Sequence, residues 1–433
     1  MTQKQTGAVR TKHVWVLNHY ARGPSESGGT RHFHLAQKLV PLGWVATVFT
    51  ASVNRDDIRQ TVARNEGYRD EQIEGVSFRR IRTPAYQGNG IGRIKNMLAY
   101  FGRMLLPRYT RGIPDPEVVV GSSVHPFAAV AAALLARRHR VPFVFEVRDL
   151  WPQTLIEMGR LREGSAVTWL MRRLELWLYR SADRIVVLLP KAVEYIAPLG
   201  IPEDRVNWIP NGVDLTLYSR NRPPRGPSCQ PFTFMYFGAH GQANGLETLI
   251  EAMGILKRRG RADAVQLRMI GGGGLKPTLI EMSQQLGLSN ISFESRVEKR
   301  EIPNLAAQAD AFVITVRALP GLYRYGISMN KLFDYLAAGR PIVISLSAAN
   351  NPVAEAGAGL TAEPDDPVSL ADAMEKLVAL PAEERSAMGE SARKYVSENH
   401  RFEVLAKRFA DILDDVVAER SRESRALGPR FWR

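Results

Sequence analysis

A chain of 433 residues is too long for one ordinary core, so two domains are expected. Hydrophobic content of 45% and charged content of 24% exclude a disordered or fibrous chain. The net charge of +14 is uneven: residues 1–205 carry 30 basic and 18 acidic side chains, the remainder 28 and 26. A basic first half asks for an anionic partner, either a phosphorylated substrate or anionic lipid. No zinc-finger or RNA-recognition spacing appears, so no nucleic-acid partner is expected. The single cysteine, Cys229, excludes an internal disulfide and suits a reducing compartment. Residues 1–13 show no secretory leader, so a cytoplasmic location is expected.

In chain order, His13–Asn18 reads as a strand, followed by a loop with Gly23, Pro24, Gly28 and Gly29 and a helical pattern over Arg31–Leu42. Val45–Thr50, Glu117–Val120, Pro142–Val147 and Arg184–Leu188 read as further strands, with a helix near Lys191–Leu199. The uncharged run Val118–Ala136 approaches the length of a membrane span, but Gly121, Ser122, Ser123, His125 and Pro126 break it into strand, polar loop and Ala-rich helix.

Arg93–Arg111 carries five basic residues and no acid. Ile94, Met97, Leu98, Phe101 and Leu105 share one helical face, the composition of a helix in a membrane interface. Arg93, Lys95, Phe101, Arg103 and Arg108 are its expected membrane contacts; the alternative is a helix packed on its own domain with a basic outer face. Trp169–Arg184 has a similar character and is expected to pack further inside.

The Pro-rich stretch Arg220–Pro231 opens a second half in which the pattern restarts. Thr233–Phe237, Gln266–Ile270, Ile291–Phe293, Ala311–Ile314 and Pro341–Ile344 read as strands, and Leu246–Arg259 as a helix. Phe402–Val417 is amphipathic. Alternating short apolar runs and helices argue for α/β layers with parallel sheets. The expected organisation is a first domain over 1–205, a second over 206–400, and a final helix and tail over 401–433.

Three Gly-rich loops follow strands, at Gly28-Gly29, Gly238–Gly245 and Gly271–Gly274. Glycine lets backbone amides approach a phosphate, though each loop would equally serve as a tight strand-to-helix turn. None continues into a Walker lysine, and no later acid completes a nicotinamide-binding unit. Ser123 and His125 follow a strand and open a helix, at the cleft edge of such a sheet. Glu146, Arg148 and Asp149 end the next strand, where charges must pair with each other or with a ligand. In Tyr325–Pro341, Lys331 and Asp334 lie three apart at the start of a short helix, on one face. A helix N-terminus with an added lysine suits a diphosphate, and the carboxylate suits a ribose diol. No Asp-x-Asp pair or Cys/His metal spacing presents itself; Asp365-Asp366 and Asp414-Asp415 read as solvated.

Phe143-Val-Phe-Glu-Val-Arg-Asp-Leu-Trp-Pro152, Ile209-Pro-Asn-Gly-Val-Asp214, Leu267-Arg-Met-Ile-Gly-Gly-Gly273 and Asn330–Pro341 together resemble the GT-B glycosyltransferases of family 4, over roughly residues 13–417. Within that family the chain is similar to the bacterial surface-polysaccharide branch, L-fucosamine transferase-like members. The resemblance implies two Rossmann-like domains facing across a cleft, with a C-terminal helix crossing back to the first. It implies retaining transfer of a hexosyl or N-acetylhexosaminyl group from a nucleotide-sugar, expected to be UDP-linked, without a metal or other cofactor. The acceptor would be a polyprenyl-diphosphate-linked saccharide at the cytoplasmic membrane face.

By the same resemblance, Asp334 would hold the ribose, Gly272 and Gly273 would lie by the nucleoside, Arg296 would edge the base, and Gly238 would belong to the donor site. Gly28 and Gly29 would approach the diphosphate, and His125 and Asp149 would face acceptor and transferred sugar, with Ser123 and Arg148 beside them. The sequence departs from the family at two places. Ala239 and Asn244 stand where an arginine and a lysine are usual, and Gly326 where an acid is usual. Lys331 is therefore the expected cation for the leaving diphosphate, with Arg317 or Arg324 second. A sugar-nucleotide epimerase and a non-catalytic sugar-nucleotide-binding partner are the alternatives.

Overall fold

The structure is a computed structural model that describes residues 11–26, 29–53, 60–88, 90–218 and 231–427. Its first sheet is built from β1 (Lys12–Leu17), β2 (Trp44–Ala51), β3 (Tyr68–Ile73), β4 (Val76–Ile81), β5 (Val118–Ser122), β6 (Phe143–Val147), β7 (Arg184–Val187) and β8 (Val206–Trp208). The order is β3-β4-β2-β1-β5-β6-β7-β8, parallel except for the antiparallel edge strand β3. β8 lies just past residue 205, so the sheet extends slightly beyond the expected first-domain boundary. The helices of this half are α1 (Arg31–Leu39), α2 (Ile91–Met104), α3 (Pro126–His139), α4 (Gln153–Glu157), α5 (Ala166–Ser181) and α6 (Val193–Ile196).

The second sheet holds β9 (Phe232–Ala239), β10 (Val265–Gly272), β11 (Ile291–Glu294), β12 (Ala311–Thr315), β13 (Ile342–Ser345) and β14 (Gly359–Ala362), in the order β11-β10-β9-β12-β13-β14 and parallel throughout. This is the doubly wound order, which places ligands beyond the carboxyl ends of the strands. Its helices are α7 (Leu246–Arg258), α8 (Lys276–Gln285), α9 (Ile302–Ala306), α10 (Pro320–Tyr323), α11 (Asn330–Ala338), α12 (Pro352–Glu355), α13 (Pro367–Ala379) and α14 (Ala382–Asn399). The last helix, α15 (Phe402–Leu427), lays Phe402, Leu405, Phe409, Leu413 and Val416 into the first-domain core beside Val14, Phe33 and Leu39. The expected two-domain α/β architecture with a returning helix is present.

Local chemistry explains these elements. The central strands are apolar runs largely buried on both faces, as parallel sheets require, while the edge strands β3, β8, β11 and β14 are partly exposed. The uncharged stretch after residue 118 is strand, turn and helix, because Gly121 lets α3 sit directly on β5: a Cβ there would lie 2.7 Å from Ala132 Cβ and 2.9 Å from Ala129 Cα. Among the described residues no helix is long and apolar enough to cross a membrane.

The domains are joined by two chain crossings lying side by side. Val213 N–H donates to the His400 carbonyl (3.0 Å) and Phe402 N–H to the Val213 carbonyl (3.3 Å). Gly212 is required there, since a Cβ would fall 2.5 Å from the His400 oxygen. Asp414 is not merely solvated, as its position suggested: it accepts from Lys12 Nζ at 2.5 Å and Trp44 Nε1 at 3.0 Å, fastening α15 to the first sheet. Asp366 caps α13 through Val368 and Ser369.

Candidate active site

The cleft lies between the carboxyl ends of the two sheets. On the first-domain side, β6 ends in Glu146, which is fully buried. It pairs with Arg31 (Nε–Oε1 2.8 Å) and His32 (Nε2–Oε2 2.8 Å) and accepts from Ser122 (2.8 Å). Burial pushes this carboxyl up, but His32 and Arg31 prevail and hold it well below the ordinary range. Arg31 also donates to the Ile209 and Pro210 carbonyls, tying β6 to the start of the interdomain crossing. Of the three charges at this strand end, Glu146 is therefore a framework group, its cation supplied by α1.

Arg148 and Asp149 follow at the cleft. The Arg148 N–H donates to Ser123 Oγ (3.0 Å), and Trp151 Nε1 donates to the Ser123 carbonyl (2.9 Å), so Ser123 shapes the loop. Asp149 is exposed at the cleft edge; desolvation of its carboxyl group raises its pKa, with Arg148 opposing. His125 sits at the start of α3 without capping it, 3% exposed, and neither ring nitrogen has a hydrogen-bond partner. Burial, then His19 and Arg93, keep its imidazole neutral. His19 packs 4.5 Å from it, centroid to centroid, and is fixed by Asn96 at 2.7 Å. A buried neutral imidazole with unspent nitrogens can bond a sugar hydroxyl. Gly29 lies beside the Tyr20 carbonyl; Gly28 lies outside the described residues.

On the second-domain side, α11 begins with no side-chain cap and no acid in its first turn. Lys331 Nζ donates to Tyr236 Oη (2.8 Å) and Asn244 Oδ1 (2.6 Å), both neutral. Burial pushes the Lys331 pKa down to about 7, and no carboxylate pairs with it among the described residues. Gly238 forms the floor beneath it, since a Cβ would touch Tyr236 Oη (3.1 Å) and Lys331 Cδ (3.3 Å). His240 lies alongside, fully buried, with both ring nitrogens unpartnered. Burial, then Lys276, Lys331 and Arg296, push its pKa down to about 4.

Lys276 follows the Gly271–Gly274 turn and bonds the carbonyls of Gly271 (3.0 Å) and Glu294 (2.6 Å). Arg296 lies over Gly272, where a Cβ would fall 3.0 Å from Nε; at Gly273 a Cβ would collide with the His240 carbonyl at 2.3 Å. Backbone, a neutral histidine and three cations thus converge, with the nearby Glu294 carboxylate bonded to Arg268, an arrangement that suits an anion.

The second-choice cations are engaged elsewhere. Arg317 donates to Glu247 (2.8 Å) and the Gln242 carbonyl (3.1 Å), and Arg324 stacks on Tyr325 at 4.7 Å. Asp334 is 3% exposed; Lys299 Nζ stands 2.6 and 2.5 Å from its two oxygens and Tyr218 Oη donates at 3.1 Å. Lys331 and Asp334 share a helix face but have separate partners. Sequence reasoning missed Tyr236, His240, Lys276 and Lys299. Only Lys276 had a local signal, a cation two residues after the four-glycine turn.

The basic helix α2 needs correction. Met97, Tyr100 and Met104 are buried, and Phe101 is partly buried against Phe127, 6.3 Å away, so it is not a free membrane contact. Arg93 folds back on Tyr20, donating to its hydroxyl at 3.2 Å, and Arg103 is partly buried. Ile91, Ile94, Lys95, Leu98 and Arg108 face outward. Trp169 does not pack inside: it is 65% exposed at the start of α5, between exposed Val167 and Leu170. Both helices pack against α3.

Residues 28–212 match the family described as Glycosyl transferase 4-like domain, and residues 231–379 the family Glycosyl transferases group 1. The chain is 24% identical to the probable glycosyltransferase WbjE of Pseudomonas aeruginosa over 74% of its own length and 78% of that protein. It is 29% identical to a GDP-mannose-dependent phosphatidylinositol monomannoside mannosyltransferase of Mycobacterium tuberculosis, over 49% of this chain and 56% of that one. Among solved structures it superposes on sucrose-phosphate synthase from Thermosynechococcus elongatus with a TM-score of 0.72 at 18% identity, covering 94% and 100% of the two chains. Anabaena HepE in complex with UDP-glucose matches with a TM-score of 0.64 at 14% identity, over 93% and 99%.

Proposed function

Because the chain belongs to the GT-B glycosyltransferases with this pair of domains, we propose that it moves a sugar from a nucleotide-sugar donor to a lipid-linked saccharide, with retention and without a metal. The observation that carries the donor reading is Lys331: a half-buried ammonium at a helix N-terminus, held by neutral oxygens and paired with no carboxylate among the described residues. A donor diphosphate supplies that anion. As the sugar departs, negative charge grows on the diphosphate, and Lys331 with the N-terminal end of α11 meets it. Asp334 holds the ribose, sharing its oxygens with Lys299. His125 bonds a hydroxyl of the transferred sugar, and Asp149 with Arg148 orients the acceptor.

The nucleotide is proposed to be UDP, supported by the UDP-glucose complex of HepE; the mycobacterial relative's dependence on GDP-mannose makes GDP the rival. The names of the relatives support a bacterial surface glycan as product: beside WbjE stands the putative colanic acid glycosyltransferase WcaI of Escherichia coli, 22% identical. The acceptor end is proposed to work at the cytoplasmic face of an anionic membrane. Ile91, Ile94 and Leu98 of α2, with Val167, Trp169 and Leu170 of α5, form exposed apolar ends on either side of α3, with Lys95, Arg108 and Arg173 beside them.

The test is a transfer assay with UDP- and GDP-linked sugars and a polyprenyl-diphosphate saccharide, with and without EDTA. Transfer from a UDP donor that survives EDTA supports the proposal. Full rate in Lys331→Ala would remove the role given to that lysine. Release of free epimerised sugar without acceptor would point to an epimerase.

A further inference from the structure

The segment between α10 and α11 is a further, non-covalent connection between the domains, beside the contact of α4 with α10 and the Arg300–Glu74 ion pair. Tyr325 belongs to the second domain by sequence, yet its ring is 3% exposed inside the first-domain core with Tyr179, Val187 and Ala192. Its carbonyl accepts from Lys191 N–H (3.1 Å), and its ring meets Tyr195 edge-on, centroids 5.5 Å apart. Tyr195 is itself held, donating to Glu175 at 3.1 Å, and Tyr179 donates to the other Glu175 oxygen at 3.1 Å.

Gly326 follows with φ +102°, and a Cβ there would lie 2.5 Å from Pro190 Cδ and 2.7 Å from Asn350 Oδ1. Only glycine lets the chain leave the first domain at this point. Ile327 then enters the second-domain core, its N–H bonded to Asn350 (2.7 Å). Ser328 Oγ accepts from the N–H of Asn211 in the interdomain crossing (2.8 Å). Asn330 begins α11 immediately afterwards, with Lys331 next.

We propose that Tyr325 is a positioning residue for transfer: anchored in the first domain, it sets the approach of the α11 N-terminus, and with it Lys331, toward the acceptor side. Gly326, a position that no residue with a Cβ fits, then has a mechanical role. The register of the two half-sites depends on this strap as well as on the covalent crossings. The proposal rests on the transferase reading above only for its kinetic arm.

The experiment compares Tyr325→Ala and Tyr325→Phe with wild type by UDP titration, steady-state transfer and small-angle scattering, after thermal melts show both variants folded. In Tyr325→Ala, kcat is expected to fall at least about tenfold, because displacement of a catalytic group by an ångström is enough. UDP affinity stays within about threefold, because the anion seat lies within the second domain. The radius of gyration rises. Tyr325→Phe, which keeps the ring, is expected to restore kcat and compactness. Wild-type kcat in Tyr325→Ala, or loss of UDP affinity in step with kcat, overturns the positioning role. Scattering reads the strap without chemistry: if wild type neither binds UDP nor transfers, the transferase reading fails while an expanded Tyr325→Ala still supports the strap, and unchanged scattering overturns it.

Discussion

The ammonium of Lys331 lies 2.6 Å from the amide oxygen of Asn244, a neutral partner for a half-buried cation. The same ammonium stands 4.5 Å from the centroid of the Tyr236 ring. These groups orient the charge without neutralising it, and burial lowers the pKa of the ammonium to about 7.

That cost has a sign. The Lys331 pKa is lowered from 10.5 to about 7, so between those values the unfolded chain binds more protons than the folded one. The penalty is therefore full below pH 7 and is relieved as pH rises toward 10.5. Lys331→Met is expected to stabilise the unliganded protein by on the order of 1–3 kcal/mol at pH 6, with a smaller gain at pH 9. Thermal melts at the two pH values check this, and a destabilised Lys331→Met would show that the lysine has an internal counterion.

The ion pair of Lys299 with Asp334 should behave in the opposite way. Removing the cation in Lys299→Met leaves a nearly buried carboxylate with Tyr218 as its side-chain donor among the described residues, at a cost of about 3 kcal/mol. Asp334→Asn, which keeps an acceptor for Tyr218, is expected to weaken nucleotide binding more than it weakens the fold. Denaturant unfolding and nucleotide titration on the two variants separate these effects.

Gly212→Ala would place a methyl 2.5 Å from the His400 carbonyl oxygen and 2.6 Å from Leu405 Cδ1. Neither backbone crossing can give way without loosening the other, so a loss of roughly 2 kcal/mol or more is expected, together with a lower kcat. A variant melting at the wild-type temperature would show that the paired crossings are more pliable than their hydrogen bonds imply.

For the membrane surface, flotation on vesicles containing anionic lipid is expected to weaken with salt. It is also expected to fall several-fold when Trp169 and Leu170 are changed to serine, because each exposed apolar side chain contributes about 1.5–3 kcal/mol on burial. Unchanged flotation would assign the exposed ends of α2 and α5 to another partner.

The two-domain fold was legible because its central strands are β-branched runs between glycine turns. β3 and β4 were not, because their signal is polar: β3 is a charged edge, and β4 buries Arg79 and Arg80. Arg79 is accommodated by Asp70 and the carbonyls of Tyr109 and Arg111, a pairing that only tertiary structure supplies. Lys331 could be picked out by its place at the helix start. Tyr236 and Asn244 could not be linked to it, since they come from a strand and loop about 90 residues earlier and meet it only through the β9–β12 pairing. Likewise, helical periodicity marked the apolar residues of α5 but could not say that Trp169 faces outward.

Calorimetric titration of UDP and GDP into wild type and Lys331→Met, from pH 6 to pH 9, tests the anion seat most directly. Wild type is expected to bind UDP at least about tenfold more tightly than Lys331→Met at pH 6.5, to take up a proton on binding near pH 7, and to lose this advantage as pH rises. Equal affinity in the two proteins, or an affinity for UDP unchanged across that range, would contradict it.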